Sequence, residues 1–259
     1  IMAFCLLIIC VYISKCLAQT CLINEPSVTH NAINNDIEWI PLNDNTYHTT
    51  LIYDVSTFEW STINTRLIGR FHNNSMPSPT LRMKRGNTYK ITLINNLGPE
   101  STTNPTDANV QKDPNTTNIH THGLHIGGRP PGDNVYVSVS PGMNYTYTYN
   151  IPCDHSGGTM WYHPHHHGST FTQVAQGCAG ALIIDDDSEF EGLSDWYVNM
   201  TSYVLVMSYL DLGMLNNRIN TNPPPGYVDD IFTWESITNG QRAAQFFLIN
   251  GQYQPYICV

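Results

Sequence analysis

Two segments alternate so strictly that they leave little choice of secondary structure. Thr88-Tyr89-Lys90-Ile91-Thr92-Leu93-Ile94-Asn95 places Tyr89, Ile91 and Leu93 on one side. Asn144-Tyr145-Thr146-Tyr147-Thr148-Tyr149-Asn150-Ile151 does the same with three tyrosines. A period of two belongs to a β-strand with one buried face. Further strand-like runs recur at Leu51–Val55, Thr65–Phe71, Val135–Ser140, Tyr203–Tyr209 and Phe246–Ile249, with an apolar one at Gly177–Ile184, punctuated by Pro, Gly and Asn. No stretch carries the sustained 3.6-residue period of a long amphipathic helix. Short strands spaced about ten residues apart predict an all-β sandwich.

The composition agrees with a folded chain, since 41% of the 259 residues are hydrophobic and only 12% charged, a core-forming balance. The net charge of -10 argues against binding nucleic acid through a basic surface, because such binding neutralises phosphates with Lys and Arg. The one basic cluster, Arg82-Met83-Lys84-Arg85, reads as a solvated loop. Met2–Ile13 is apolar but too short for a comfortable membrane span, and Cys16-Leu17-Ala18 follows with small residues. Residues 1–18 therefore read as a secretory signal cleaved after Ala18, and no membrane anchor is expected. The acidic stretch Asp185–Asp195 predicts a boundary between a first domain over 19–190 and the start of a second over 196–259.

Export accords with the Asn-x-Ser/Thr triplets at Asn73, Asn115, Asn144 and Asn199, which are N-glycosylation acceptors in a secreted chain. Removal of residues 1–18 leaves four of the seven cysteines, Cys21, Cys153, Cys178 and Cys258, free to form disulfides whose pairing sequence does not assign.

Chemistry concentrates in two windows, Asn118-Ile119-His120-Thr121-His122-Gly123-Leu124-His125 and Trp161-Tyr162-His163-Pro164-His165-His166-His167-Gly168. Together they hold seven of the eleven histidines. Each contains a His-x-His step. On a strand this aims His120 and His122 one way, and His163 and His165 one way. Two such strands side by side present four imidazoles to one space, with no acid, thiol or lysine inside either window. An all-imidazole set suits copper, zinc or iron rather than calcium or magnesium. His125, His166 and His167 read as surface or supporting groups, and His30, His48, His72 and His155 as background. Trp161 and Tyr162 read as packing and orientation.

These windows resemble the first two copper-binding motifs of the multicopper oxidases, the laccase and ferroxidase family. The framing segments Asp133-Asn134-Val135, Ser140-Pro141-Gly142, Gly157-Gly158-Thr159-Met160-Trp161 and Gly180–Ile184 follow that family's order and spacing, and the resemblance runs from about Leu51 to Gln254. It implies Greek-key cupredoxin (plastocyanin-like) domains. Carried over by position, His120 resembles the type 2 copper ligand, His122 and His163 resemble ligands of one type 3 copper, and His165 of the other. Asp133 stands where the resembling enzymes keep an acid that moves protons. The implied activity is one-electron oxidation of phenols or metal ions coupled to reduction of dioxygen to water.

The departures are equally informative. The resembling enzymes draw the type 1 copper site and the other trinuclear ligands from a third cupredoxin domain, and no His-Cys-His segment occurs in this sequence. Two-domain relatives place a cysteine directly after the strand histidine. Pro164 stands there, which excludes a thiolate ligand. The expectation is an N-terminal part of a three-domain oxidase that cannot turn over alone. The alternative is a secreted cupredoxin-like binding or structural module without catalysis.

Overall fold

The computed structural model describes residues 6–13, 35–100, 110–186, 192–198, 200–220 and 229–255. Cys21, Cys258, His30, Asn199, the Cys16–Ala18 cleavage site and the Pro223–Gly226 loop lie outside them. Almost every described element is a strand. In chain order these are β1 (Leu6–Ile13), β2 (Ile40–Asn43), β3 (Thr46–Trp60), β4 (Thr65–His72), β5 (Ser78–Met83), β6 (Thr88–Asn95), β7 (His120–His122), β8 (Asn144–Asn150), β9 (Gly158–His163) and β10 (Gly180–Ile184). They continue with β11 (Thr201–Asp211), β12 (Thr233–Glu235), β13 (Gln245–Ile249) and β14 (Gln252–Tyr253). Among the described residues a 3-10 turn (Ser61–Ile63) and three short α-helices interrupt them: α1 (Thr170–Ala175), α2 (Asp195–Val198) and α3 (Leu212–Asn220).

One sheet has the order β12-β4-β3-β6-β8 with β2 added beside β3, and a second runs β5-β10-β9-β7. Their facing sides supply one core: Leu51, Tyr53, Leu67 and Ile91 from the first, Leu81, Tyr162 and Leu182 from the second. The pairings are antiparallel except β3–β6 and β5–β10. This is an all-β, cupredoxin-like sandwich. The alternation read at Thr88–Asn95 is realised residue by residue, with Tyr89, Ile91, Leu93 and Asn95 buried. The run Leu51–Val55 is the middle of a longer continuous strand, β3, which goes on to Trp60. Val135–Ser140 forms no strand beyond an isolated bridge from Val139 to Thr117. Its backbone is taken up instead by turns and by the side chain of Asn118.

A third sheet, β1-β11-β13-β14, lies against the second. All five residues of β10 are buried because both faces are covered. Leu182 and Ile184 point into the main core, while Ala181 and Ile183 pack on Val204 and Val206 of β11. That explains why Gly180–Ile184 reads as an unbroken apolar run rather than an alternating one. Leu6–Ile13 pairs along β11 from Leu6 opposite Ser208 to Ile13 opposite Thr201. Cleavage after Ala18 would remove this strand and open the β11 edge. β13 and β14 are joined at Asn250-Gly251, both with positive φ (49° and 76°), the backbone that a tight two-residue hairpin turn requires.

The segment after Asp195 is tied to the first sheet. β12 extends it by pairing with β4, and Asp229 meets Arg70 through two contacts, Nη1–Oδ2 at 3.1 Å and Nη2–Oδ1 at 2.9 Å. Both side chains of that pair are fully buried. Of the cysteines, Cys153 is exposed and Cys178 buried, and neither is in a disulfide. Cys178 Sγ lies 3.4 Å from Nδ1 of the buried His72, so it is a core thiol rather than a bridge. Burial pushes that thiol up to about 12.

Candidate metal centre

The two histidine windows meet because β7 and β9 are antiparallel neighbours in a definite register. His120 sits opposite His163, Thr121 opposite Tyr162, and His122 opposite Trp161. Side chains alternate, so Thr121 and Tyr162 turn inward, where the Tyr162 hydroxyl donates to the Pro79 carbonyl at 2.6 Å. The imidazoles turn to the other face together. One ligand-capable nitrogen from each of His120, His122 and His163 falls within 4.8 Å of the others. His165 follows Pro164 beyond the end of β9, and its ring centroid lies 5.1 Å from that of His120 and 5.8 Å from that of His163. Gly123, with φ +103°, lets the chain turn away directly after His122, and a Cβ there would come within 3.1 Å of Met160 Cγ.

Each of two histidines has one nitrogen engaged by protein. His120 Nδ1 is 3.0 Å from Asp133 Oδ2. A carboxylate oxygen can only accept, so Nδ1 carries the proton and Nε2 keeps its lone pair. The other carboxylate oxygen of Asp133 accepts the Thr121 backbone N–H at 3.0 Å, which seats the acid against β7. His163 Nδ1 donates to the Pro164 carbonyl at 2.9 Å, and its Nε2 is buried with no hydrogen-bond partner. Burial, opposed by the Pro164 bond and reinforced by the imidazoles of His120, His165 and His122, pushes the His163 imidazole down to about 4. It is therefore neutral at physiological pH, the form that binds a metal. Trp161 stacks between His122 (centroids 5.0 Å) and His163 (4.2 Å) and restrains both rings.

The donor chemistry fits copper. The cluster offers imidazole nitrogens, one of them a buried acceptor without a partner, and a buried unpaired polar atom is costly unless something binds it. Carboxylate and carbonyl groups on the far ring nitrogens fix the tautomers, as metal-binding histidines commonly require. His122 and His165 are exposed, so the cluster opens to one side.

Two positioning residues are not evident from the sequence pattern. Asn118 is fully buried. It donates to the carbonyls of Val135 and Val137, both at 2.9 Å, and accepts the His165 backbone N–H at 2.6 Å. It thereby joins the loop carrying Asp133 to the segment carrying His165. His155 is 3% exposed, donates to the Ser156 carbonyl and accepts the His125 N–H at 3.1 Å. The Asn118 bonds and the His155–His125 contact join segments distant in the chain, and no local motif marks them. His125 therefore pairs with His155, and His166 lies beside Ser138 and Asp113; neither joins the four-histidine group.

An all-β sandwich that offers clustered imidazoles on one face defines a cupredoxin-like protein suited to copper. Residues 107–189 match the family model described as Multicopper oxidase. A multicopper oxidase of Staphylococcus aureus is 36% identical over 118 residues, 46% of this chain and 22% of its own. The iron transport multicopper oxidase of Candida albicans is 34% identical over 119 residues, 44% of this chain and 16% of its own. Laccase-4 of Thanatephorus cucumeris is 31% identical over 140 residues, 48% of this chain and 24% of its own. Over residues 107–189 the chain carries a multicopper oxidase domain, and the relatives it resembles there are named multicopper oxidases and laccases. It spans less than a quarter of the length of these relatives. Among the described residues no helix is long and apolar enough to cross a membrane.

Proposed function

We propose that this chain is the N-terminal part of a secreted, laccase-like oxidase and supplies half of its trinuclear copper ligands. The observation that carries the reading is the pair His120 and His163: each has its Nδ1 tied to protein, and the buried His163 Nε2 has nothing to bind. By position in the motifs, His120 would hold the type 2 copper, His122 and His163 one type 3 copper, and His165 the other. Copper bound there supplies the means of collecting several electrons for reduction of dioxygen to water. The chain's own residues supply the imidazoles, the ring orientations fixed by Trp161 and Pro164, and the proton held between Asp133 and His120. In this reading Asp133 would orient His120 and exchange a proton at the edge of the cluster, which its contact with His120 Nδ1 supports.

The donor would be a phenol or a metal ion, in keeping with the laccase and iron-transport names of two relatives. The sequence carries no His-Cys-His segment, so a type 1 copper and the remaining trinuclear ligands would come from a third cupredoxin domain. Residues 1–18 would direct export.

The test is expression of residues 19–259 and competition for copper against a chromophoric chelator. Copper retained by the wild-type chain, and lost from a variant with His120, His122, His163 and His165 all changed to Ala, is the expected result. Equal binding by both proteins would remove the copper assignment and favour a non-catalytic module. Oxygen uptake with a phenolic donor should show no sustained turnover; copper-dependent turnover would overturn the need for a further domain.

A further inference from the structure

Three of the four Asn-x-Ser/Thr triplets lie in described residues, and the fold treats them differently. Asn115 is 2% exposed. Its amide oxygen accepts from Arg70 Nε at 2.9 Å and Nη2 at 2.7 Å, and its amide nitrogen donates to the Pro99 carbonyl at 2.9 Å. A sugar on that nitrogen has no space unless the Gly98-Pro99 backbone moves away from it.

Asn73 and Asn144 are exposed, and they end one row across the outer face of the first sheet. The Asn73 N–H donates to the Ile52 carbonyl. Ile52 sits beside Ile94 in the β3–β6 register, and Ile94 beside Asn144 in the β6–β8 register. The row is apolar in the middle: Ile52 is 43% exposed, and Met143, next to Asn144, is 59% exposed. β8 also ends the sheet. Its outer edge is covered at Thr148, whose N–H donates to the Pro131 carbonyl; toward Asn144 it has no backbone partner among the described residues. An open edge beside exposed apolar side chains is a template for pairing with another chain.

We infer that Asn73 and Asn144 carry N-linked glycans that shield this edge and row, and that Asn115 carries none in the folded protein. The inference rests on the export reading. The side-chain amide nitrogen displaces a polyprenyl diphosphate from C1 of a lipid-linked oligosaccharide. The C–O bond breaks, a C–N bond forms, the amide loses one proton, and nothing is oxidised or reduced. Both acceptors suit the step. The Asn144 side chain makes no hydrogen bond among the described residues. At Asn73 the oxygen holds the Ile52 N–H at 2.7 Å, while the nitrogen has only a 3.5 Å contact to the Thr50 carbonyl. Glycosylation leaves the oxygen free to keep its bond. Transfer to Asn115 on the unfolded chain would prevent the Gly98-Pro99 segment from closing on it, so such molecules are excluded from the folded fraction.

The test uses the full chain in a eukaryotic secretory host, once unaltered and once with residues 1–18 exchanged for a heterologous cleavable leader. Enzymatic deglycosylation of folded, secreted protein in heavy-oxygen water, followed by peptide mass mapping, marks each former glycan site as a labelled Asp. Label at Asn73 and Asn144 and none at Asn115 is expected. Asn73→Gln and Asn144→Gln should each remove one glycan mass, and the double variant should self-associate in sedimentation at concentrations where the wild type is monomeric. Label at Asn115 in folded protein, or an unlabelled Asn73 or Asn144 in the leader-exchanged protein, would overturn the inference. If the unaltered chain stays in the cell while the leader-exchanged chain is labelled as expected, the glycan sites stand and only the export reading falls.

Discussion

Replacing Asp133 separates a ligand-orienting role from simple packing. Its carboxylate is 11% exposed and accepts two hydrogen bonds, from His120 Nδ1 and from the Thr121 N–H, each at 3.0 Å. Asp133→Ala removes both acceptors, at a stability cost of about 1.5–3 kcal/mol for a bond to a charged group. Loss of a group that orients a metal-binding histidine lowers metal affinity by roughly 10–100-fold, or about 1.4–2.7 kcal/mol. Asp133→Asn behaves differently. Its amide oxygen can still take the Thr121 N–H, which leaves its NH2 facing His120 Nδ1. An NH2 group donates, so the imidazole proton moves to Nε2, the nitrogen needed for copper. Asn is thus expected to preserve the fold better than Ala, yet to bind copper no better. Thermal unfolding of the copper-free proteins measures the first effect and chelator competition the second, while nitrogen NMR of the imidazole reads the tautomer directly. If Asp133→Asn bound copper within about threefold of wild type while His120→Ala lost it, the tautomer argument would be refuted.

Three further outcomes follow from other parts of the fold. Asp229→Ala leaves the fully buried Arg70 guanidinium without its counter-charge, which should cost about 3–5 kcal/mol and lower Tm by on the order of 10 °C at this chain size; combining it with Arg70→Met should recover part of the loss in the same melt. Burial pushes His72 from 6.5 down to about 3, so between those values the unfolded chain binds a proton that the folded one refuses. Stability should therefore fall as pH drops from about 6.5 towards 3, by at most ~5 kcal/mol from this group, and His72→Gln should flatten the acid limb of urea midpoint against pH. Asn118→Ala breaks three bonds between the Asp133 loop and His165, and should lower copper affinity about tenfold while the copper-free protein keeps its far-UV circular dichroism.

The strand character of Thr88–Asn95 and Asn144–Asn150 was legible in the sequence, because a period of two is set by the backbone alone and one buried face suffices to display it. The shared direction of His120 and His122 follows from the same rule. The centre needs more than direction. His120 opposes His163 only because β7 and β9 pair in one register, and register belongs to two strands forty residues apart. The attachments of Asp133, Asn118 and His155 depend likewise on loops packed together by the fold. Asn115 shows the limit of a local motif. Its triplet is the same three-residue pattern as at Asn144, yet one asparagine lies in the core against Arg70 and the other on an open edge. Leu6–Ile13 reads as a leader by its apolar run and pairs with β11 in the structure, since an apolar segment can satisfy an open strand edge as readily as enter a membrane. The sequence by itself therefore determined the all-β class and the chemistry of the imidazole set, both carried by residue type and period. Tertiary structure alone decided which imidazoles meet, which nitrogens remain open and which asparagines are reachable, because each depends on contacts between segments distant in the chain.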